Sequence, residues 1–387
     1  MKRYYVDGHI HIGRTNTNRA VKITASDQLT LHHILSFAKE AKGLDMIGII
    51  DCHSPDVLNE LKHLVRQGEI NELPGGGLST GDLTILLGSE IELYDANCSG
   101  PIHVLCYFPT LEMMSSFANW YQSYVSNPHL SSQRMYCDAN TLQREVKERS
   151  GLFIPAHIFT PFKSLYGKGV QHHLTEVLNS ELIDGVELGL SCDTSMAETI
   201  PELEGYTFLT NSDAHSLEMI GREYQALTLY EPSFQAFKDA LYKQNSCRVE
   251  ANFGLNPQLG KYYTSVCREC WQEVQQLDVC EHCGSNKTVK GVPTRIQEVA
   301  KAQGVGKRWV RPPYINQIPL HYVPGIGSAL LKRLREQLHH DMYVIHEASL
   351  DELQSIVKPS IASRIMQLRK GELTVSPGGG GQYGHIE

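Results

Sequence analysis

Across residues 1–253 the apolar positions fall in short runs bounded by Gly, Pro or Asp. They are YYVDGHIHI from Tyr4, DMIGIIDCH from Asp45, LTILLGSEIEL from Leu83, IHVLCYF from Ile102, GLFIPAHIF from Gly151, DGVELGL from Asp184 and TFLTNSDAH from Thr207. Runs of this length and composition predict buried strands. Between several of them apolar residues recur at helical spacing, which predicts helices over 29–42, 111–125, 139–149 and 174–179. Repeated β–α alternation predicts a largely parallel sheet, and seven strands in a domain of this size favour a closed or partly closed barrel. The Gly-rich stretch ELPGGGLSTG predicts a flexible loop over 73–80.

After Phe253 the pattern changes. A cysteine-rich stretch comes first, then helical patterns over 294–303, 329–337, 349–356 and 360–369, then the tail SPGGGGQYGHIE. The organisation expected is an α/β domain over 1–253, a metal knob over 254–291, an all-α segment over 292–372 and a flexible Gly-rich tail over 373–387. No apolar run reaches the roughly 18 residues of a membrane helix. MKRYYVDGHIHIG lacks the apolar centre of a signal peptide, so a cytoplasmic protein with no membrane partner is expected.

Charge changes the picture. The chain carries −8 overall, which by itself argues against a nucleic-acid partner. The charge is divided, however: 254–387 holds 16 Lys and Arg against 12 Asp and Glu, and 284–335 holds ten basic residues against Glu298 alone. An acidic half suited to cations precedes a basic stretch suited to phosphates.

His9 and His11 stand at alternate positions of the first predicted strand, so both side chains point to one face. Later strands end in Asp51 and His53, Glu90, His103, His157, and Asp213 with His215. The carboxyl ends of strands gather at one rim of an α/β barrel, where active sites lie. Mixed His, Asp and Glu donors without thiolate suit two or three divalent ions (Zn, Mn, Mg or Fe), with Glu90 the candidate bridge. Such ions lower the pKa of water and polarise phosphoryl oxygens, so hydrolysis of a phosphoester is expected, with Glu90, Asp213 and His215 as candidate catalytic residues.

The order HxH, strand-end Asp/His, Glu, His, PAH and SDAH resembles the PHP (polymerase and histidinol phosphatase) superfamily of metal-dependent phosphoesterases. That resemblance implies a distorted seven-stranded (β/α)7 barrel holding two or three ions. The superfamily often carries Thr-Asp-His where this chain reads Ile-Asp-Cys-His, leaving either Asp51 or His53 as ligand. A further histidine frequent after the first motif is missing from GRTNTNRAVK.

Cys267-x-x-Cys270 and Cys280-x-x-Cys283 form two knuckles, and Gly284 permits the tight turn, so one structural zinc is expected. The remaining six cysteines read as reduced thiols. VPGIGSALLKRLREQL resembles a helix-hairpin-helix: Gly325 and Gly327 would free backbone amides for a DNA phosphate, with Lys332, Arg333 and Arg335 beyond and Arg311 upstream as further contacts. Together with RPPYINQIPLHYVPGIG and PAHIFTPFKSLYG, the set resembles the endonuclease Q family of DNA repair nucleases. Membership implies nicking of single- or double-stranded DNA on the 5′ side of deaminated bases (uracil, hypoxanthine, xanthine) or abasic sites. A damaged base must leave the stack to be inspected, and Phe159, Phe162, Lys163 and Tyr166, beside His157, are the candidate lesion pocket. Rival readings are a small-molecule phosphatase of the histidinol type and a non-catalytic DNA-binding protein with a decayed metal site.

Overall fold

Strand β1 (Lys2–Ile10) starts exposed and ends fully buried, and the rest of the barrel is laid against its buried half. The computed structural model describes residues 1–387 apart from positions 276, 305, 307, 308, 373, 374, 380, 381 and 387. Six further strands follow the sequence expectation: β2 (Met46–Ile49), β3 (Thr84–Leu93), β4 (Ile102–Phe108), β5 (Leu152–Pro155), β6 (Val186–Glu187) and β7 (Phe208–Leu209). β1, β2 and β3 run parallel, with Val6 opposite Met46 and Met46 opposite Thr84. β6 and β7 are parallel too. The Asp184 amide donates to the Phe153 carbonyl (3.0 Å), which joins β6 to β5. The ring closes where the Ala214 amide donates to the His9 carbonyl at 3.1 Å and the His11 amide to the Ala214 carbonyl at 3.2 Å.

One strand departs from the parallel expectation. β4 runs antiparallel to both β3 and β5. The interior is filled by Val6, Met46, Leu86, Leu105, Ile154 and Leu209, one from each of six strands, in a single buried cluster. Each such side chain contributes roughly 2 kcal/mol of burial.

The outer layer is helical. Thr110 and Asp138 cap helices Leu111–Tyr121 and Ala139–Glu148 by accepting from Met113 and Thr141 amides. The helix expected over 29–42 is split into Leu31–Ser36 and a π-type turn, Phe37–Lys42. That expected over 174–179 shrinks to a 3₁₀ turn, Leu174–Glu176. Helix Pro55–Gln67 is absent from the sequence expectation, although Ser54-Pro55-Asp56 is a start signal with Pro in the first turn. The loop expected over 73–80 is held instead by a hairpin pairing Asn71–Glu72 with Leu78–Ser79.

Three more strands extend the sheet past β1: β8 (Tyr224–Leu229), β9 (Arg248–Gly254) and β10 (Tyr314–Asn316). β10 follows the knob in sequence yet pairs parallel with β9. The helix expected over 294–303 forms as Val292–Gln303, and at the C-terminal end the expected Ser328–Gln337, Leu350–Ile356 and Pro359–Lys370 are joined by a fourth that the sequence expectation lacks, Asp341–His346. These four C-terminal helices share a core of their own that includes Val323, Leu331, Leu353 and Ile365. In the tail, Val375–Ser376 pairs with His385–Ile386 and the Arg222 guanidinium donates to the Tyr383 hydroxyl (3.0 Å); positions 373, 374, 380, 381 and 387 lie outside the described residues. No helix among the described residues is long and apolar enough to cross a membrane.

His346 joins the helical segment to the barrel. It stacks on Tyr5 at 4.7 Å, and its Nε2 accepts from the Tyr224 hydroxyl at 2.6 Å. Burial holds this imidazole down to about 3. Between that value and the ordinary 6.5 the unfolded chain binds the extra proton, so stability falls as pH falls through this window, by about 2 kcal/mol at pH 5. His346→Gln should flatten that slope in denaturant titrations from pH 7 to 5; an unchanged slope would remove His346 as its source.

Candidate active site and metal centre

The strands bring most of the candidate residues to one rim. Glu90 lies within β3, Asp51 directly follows β2, His157 follows β5, and Asp213 and His215 follow β7. Because β4 runs backwards, His103 near its start, rather than a residue near its end, reaches the same rim. His157 and Asp213 sit at φ 32° and 47°, a region costly for residues with a Cβ. Gly189 allows the close approach of His157, whose Cβ would lie 2.6 Å from a Cβ at that position.

The donors form three overlapping groups: His9, His11 and Glu90; His11, Asp213 and His215; Glu90, His103 and His157. Asp213 Oδ1 lies 3.3 Å from His9 Nε2 and 3.4 Å from His11 Nε2. Glu90 Oε1 lies 2.8 Å from His103 Nδ1 and 3.4 Å from His157 Nε2, while its Oε2 lies 3.4 Å from His11 Nε2. His9 Nε2, His11 Nε2 and Asp213 Oδ1 are buried without a hydrogen-bond partner. Unpaired buried polar atoms are costly. Facing one another at these separations they fit a shared divalent cation, and Glu90, common to two groups, fits a bridge.

Electrostatics agree. Burial alone would raise the Glu90 and Asp213 carboxyls, but the facing histidines, with Lys22 beside Glu90, outweigh it and hold both well below their usual range. Burial would lower His9, yet Glu187 and Asp213 raise it well above its usual value.

Neither Asp51 nor His53 joins a donor group. Asp51 Oδ2 instead lies 3.2 Å from His11 Nδ1 and accepts from the Ile12 amide at 2.7 Å, so it orients His11. His53 has Nδ1 2.8 Å from Ser89 Oγ and its ring edge-on to Tyr121. Two residues escape the sequence reading. Glu187 Oε1, on β6, lies 3.0 Å from His9 Nδ1 and fixes that ring as Asp51 fixes His11. Lys22, the last residue of GRTNTNRAVK, places Nζ 3.1 Å from Glu90 Oε2 and 2.6 Å from Ser132 Oγ. A carboxylate inside the apolar DGVELGL run is a legible signal for Glu187; nothing local points to Lys22.

The candidate lesion pocket divides. Phe159 and Tyr166 are fully buried and stacked on each other at 5.3 Å, and the Tyr166 hydroxyl donates to Glu202. Both are core. Phe162 is 44% exposed, edge-on to Tyr262, and with Lys163 lines a cavity of about 260 Å³ that opens onto Glu90, His157 and Asp213.

In the knob the sulfurs of Cys267 and Cys283, and of Cys270 and Cys280, lie 3.6 Å apart. Tetrahedral zinc with bonds of about 2.3 Å has sulfurs about 3.8 Å apart, so the four fit one ion. The Cys270 amide draws the Cys267 thiol down to about 6. His282 is exposed.

Among the candidate DNA contacts, Gly325 adopts φ 96° and Gly327 caps helix Ser328–Gln337. Lys332 and Arg333 are exposed on that helix. Arg311 and Arg335 are not available. Arg311 donates to the carbonyls of Leu203, Glu204 and Tyr206 and lies over Phe208, while Arg335 is committed to Glu218 and Asp341.

No family model matches the chain. It is 50% identical over 388 residues to the uncharacterized protein YqxK of Bacillus subtilis (strain 168), covering 100% of both chains. Its fold matches the crystal structure of the lesion-specific endonuclease PfuEndoQ from Pyrococcus furiosus with a TM-score of 0.84 at 28% identity, over 100% of this chain and 95% of that one. It matches equally, at 0.84 and 28% over 100% and 96%, endonuclease Q in complex with a 27-mer duplex carrying an abasic lesion at the active site. With its ring of donors, four-cysteine knob and helical end, and with a likeness that runs over the whole length, this chain belongs to the family of YqxK and is an endonuclease Q-like PHP protein.

Proposed function

We propose that the chain is a metal-dependent DNA repair endonuclease that hydrolyses the phosphodiester on the 5′ side of an abasic site or a deaminated base (uracil, hypoxanthine or xanthine). What supports the reading most is the donor ring opening onto a cavity, in a chain alike over its whole length to an endonuclease whose complex holds an abasic duplex at its active site. Two or three divalent ions (Zn, Mn, Mg or Fe), when bound, supply water activation and stabilise charge on the phosphoryl oxygens. His9, His11, Glu90, His103, His157, Asp213 and His215 would hold them, with Asp51 and Glu187 orienting His11 and His9. Lys22 brings a positive charge to the rim where a phosphate must lie. Zinc in the knob shapes the 254–291 segment, and Gly325, Gly327, Lys332 and Arg333 form a helix-hairpin-helix-like grip on the DNA backbone. A small-molecule phosphatase would have no use for either part, and a decayed site would not keep a near-complete donor set. A DNA substrate implies a cytoplasmic location.

The test is incubation of the full-length protein, stripped with chelator, with labelled duplex holding one uracil or one abasic site, with and without Mn²⁺ or Mg²⁺. A single metal-dependent nick 5′ of the lesion is expected. Intact duplex under all conditions would refute the reading.

Base recognition can be separated from folding at the split pocket. Phe162→Ala should slow cleavage at uracil and hypoxanthine by about ten- to a hundredfold, the worth of one base–aromatic stack, and abasic cleavage much less. Tyr166→Ala opens a hole in the core and should cost about 3–5 kcal/mol of stability instead, affecting both substrates alike. A uniform loss with Phe162→Ala would remove it from the pocket.

A further inference from the structure

Asp213 and His215 differ from the other donors in their support. The rest lie on or directly beside barrel strands, but these two sit on a segment, 212–222, whose regular structure is one 3₁₀ turn, Leu217–Met219. Asp213 is held at φ 47°. Something must keep this segment from relaxing.

Its two ends are tied to β1, where the buried Asp7 carboxylate accepts from the Ser212 amide at 3.1 Å and the Gly221 amide at 2.8 Å, and the C-terminal part of the chain reaches it at Glu218 and Arg222. Arg335, on helix Ser328–Gln337, reaches Glu218 with Nη2 3.2 Å from Oε2. The same guanidinium donates to Asp341, Nε to Oδ1 at 2.8 Å and Nη2 to Oδ2 at 2.9 Å. Asp341 in turn pairs with the buried Lys42 at 3.2 Å, and Lys42 donates to the Glu218 carbonyl at 3.0 Å. Phe37 lies beneath both cations. At the other end of the segment Arg222 donates to the Ser212 carbonyl at 2.8 Å, next to Asp213, and to the Tyr383 hydroxyl at 3.0 Å. The Lys42–Asp341–Arg335 part of this network is buried and multiply satisfied, which fixes the Arg335 guanidinium, and the half-exposed Glu218 is its link to the segment.

We propose that Arg335 is a positioning residue of the metal centre: through Glu218 it braces segment 212–222 and so holds Asp213 and His215 in ligand geometry. Lys332 and Arg333 leave the same helix towards solvent. The helix therefore faces the proposed path of the DNA backbone on one side and the metal-bearing segment on the other. The inference rests on the metal-centre part of the proposed function and does not need DNA to be the substrate.

The experiment uses chelator-stripped full-length protein with three readouts: Mn²⁺ and Zn²⁺ affinity by calorimetric titration, turnover of bis(p-nitrophenyl) phosphate, and duplex affinity in chelator. Glu218→Gln, a half-exposed position that leaves the Arg335–Asp341–Lys42 contacts intact, should weaken one class of metal-binding events about tenfold, the lower end of what outer-shell partners contribute. Turnover should fall in parallel and duplex affinity stay unchanged. Arg335→Met should do the same and Arg335→Lys recover part of the loss; if Arg335→Met does not fold, Glu218→Gln decides. Unaltered metal affinity in Glu218→Gln overturns the proposal. So does a loss confined to duplex affinity in Arg335→Met, which would make Arg335 a DNA contact. If the wild type fails to cut DNA, the nuclease reading falls while the metal-affinity arm still tests the brace.

Discussion

Glu90→Gln is expected to abolish lesion cleavage, by about 10³-fold or more, while duplex binding persists. Its two carboxylate oxygens serve both the His9/His11 group and the His103/His157 group, so neutralising it removes charge from two cation positions at once. Asp51→Asn removes an orienting partner only and should cost about 10–100-fold, the usual effect of an outer-shell residue. The ordering is the measurement: single-turnover rates on abasic duplex, with metal content of each variant. Equal losses for Glu90→Gln and Asp51→Asn would return Asp51 to the ligand set. Asp213→Asn should follow Glu90→Gln, losing turnover and keeping DNA affinity.

Cys280→Ser should release the structural metal and unfold the knob. Apparent binding energies for structural zinc are about 10–16 kcal/mol, most of it folding energy in so small a unit. The hairpin of Val266–Cys267 with Thr288–Val289 has little else to hold it, since the knob's own buried cluster is chiefly Cys267, Val274 and Cys280. Duplex affinity should fall, but turnover of bis(p-nitrophenyl) phosphate should survive because the barrel supplies every donor of the hydrolytic site. Unchanged zinc content in the variant would discard the four-cysteine site, and loss of small-substrate turnover would show that the two metal sites are not independent.

Much of the barrel is legible in the sequence because its strands are buried on both faces and therefore read as continuous apolar runs. The His9–His11 alternation is enough, through the two-residue period of a strand, to put both rings on one face. Reversal of β4 is not legible, since an antiparallel buried strand has the same composition as a parallel one, yet the sequence still assigns His103 to the rim. The errors cluster where distant residues decide burial. Phe159 and Tyr166 look like an exposed aromatic loop until helix Val292–Gln303 lies across it, with Arg295 donating to the Tyr166 carbonyl at 2.7 Å. Arg311 and Arg335 look like DNA contacts until the carbonyls and carboxylates that occupy them are in place. Asp51 reads as a ligand because a carboxylate at a strand end resembles one; in the structure its Oδ2 lies 3.2 Å from Nδ1 of His11 and it joins none of the three donor groups.

The knob leaves the sheet after β9 and the chain re-enters it at β10, immediately alongside. The Asn252 amide donates to the Pro313 carbonyl at 2.9 Å, and the Gln317 amide to the Gly254 carbonyl at 2.7 Å. A module hung on one linker swings through an arc whose width grows with the linker's length. One clamped at both roots in the same sheet cannot, and on the way back Arg295 and Arg311 donate to the carbonyls of Val170 and Leu203. Held at both roots in one sheet, the knob keeps a fixed place beside the barrel, set by hydrogen bonds rather than by the reach of a linker.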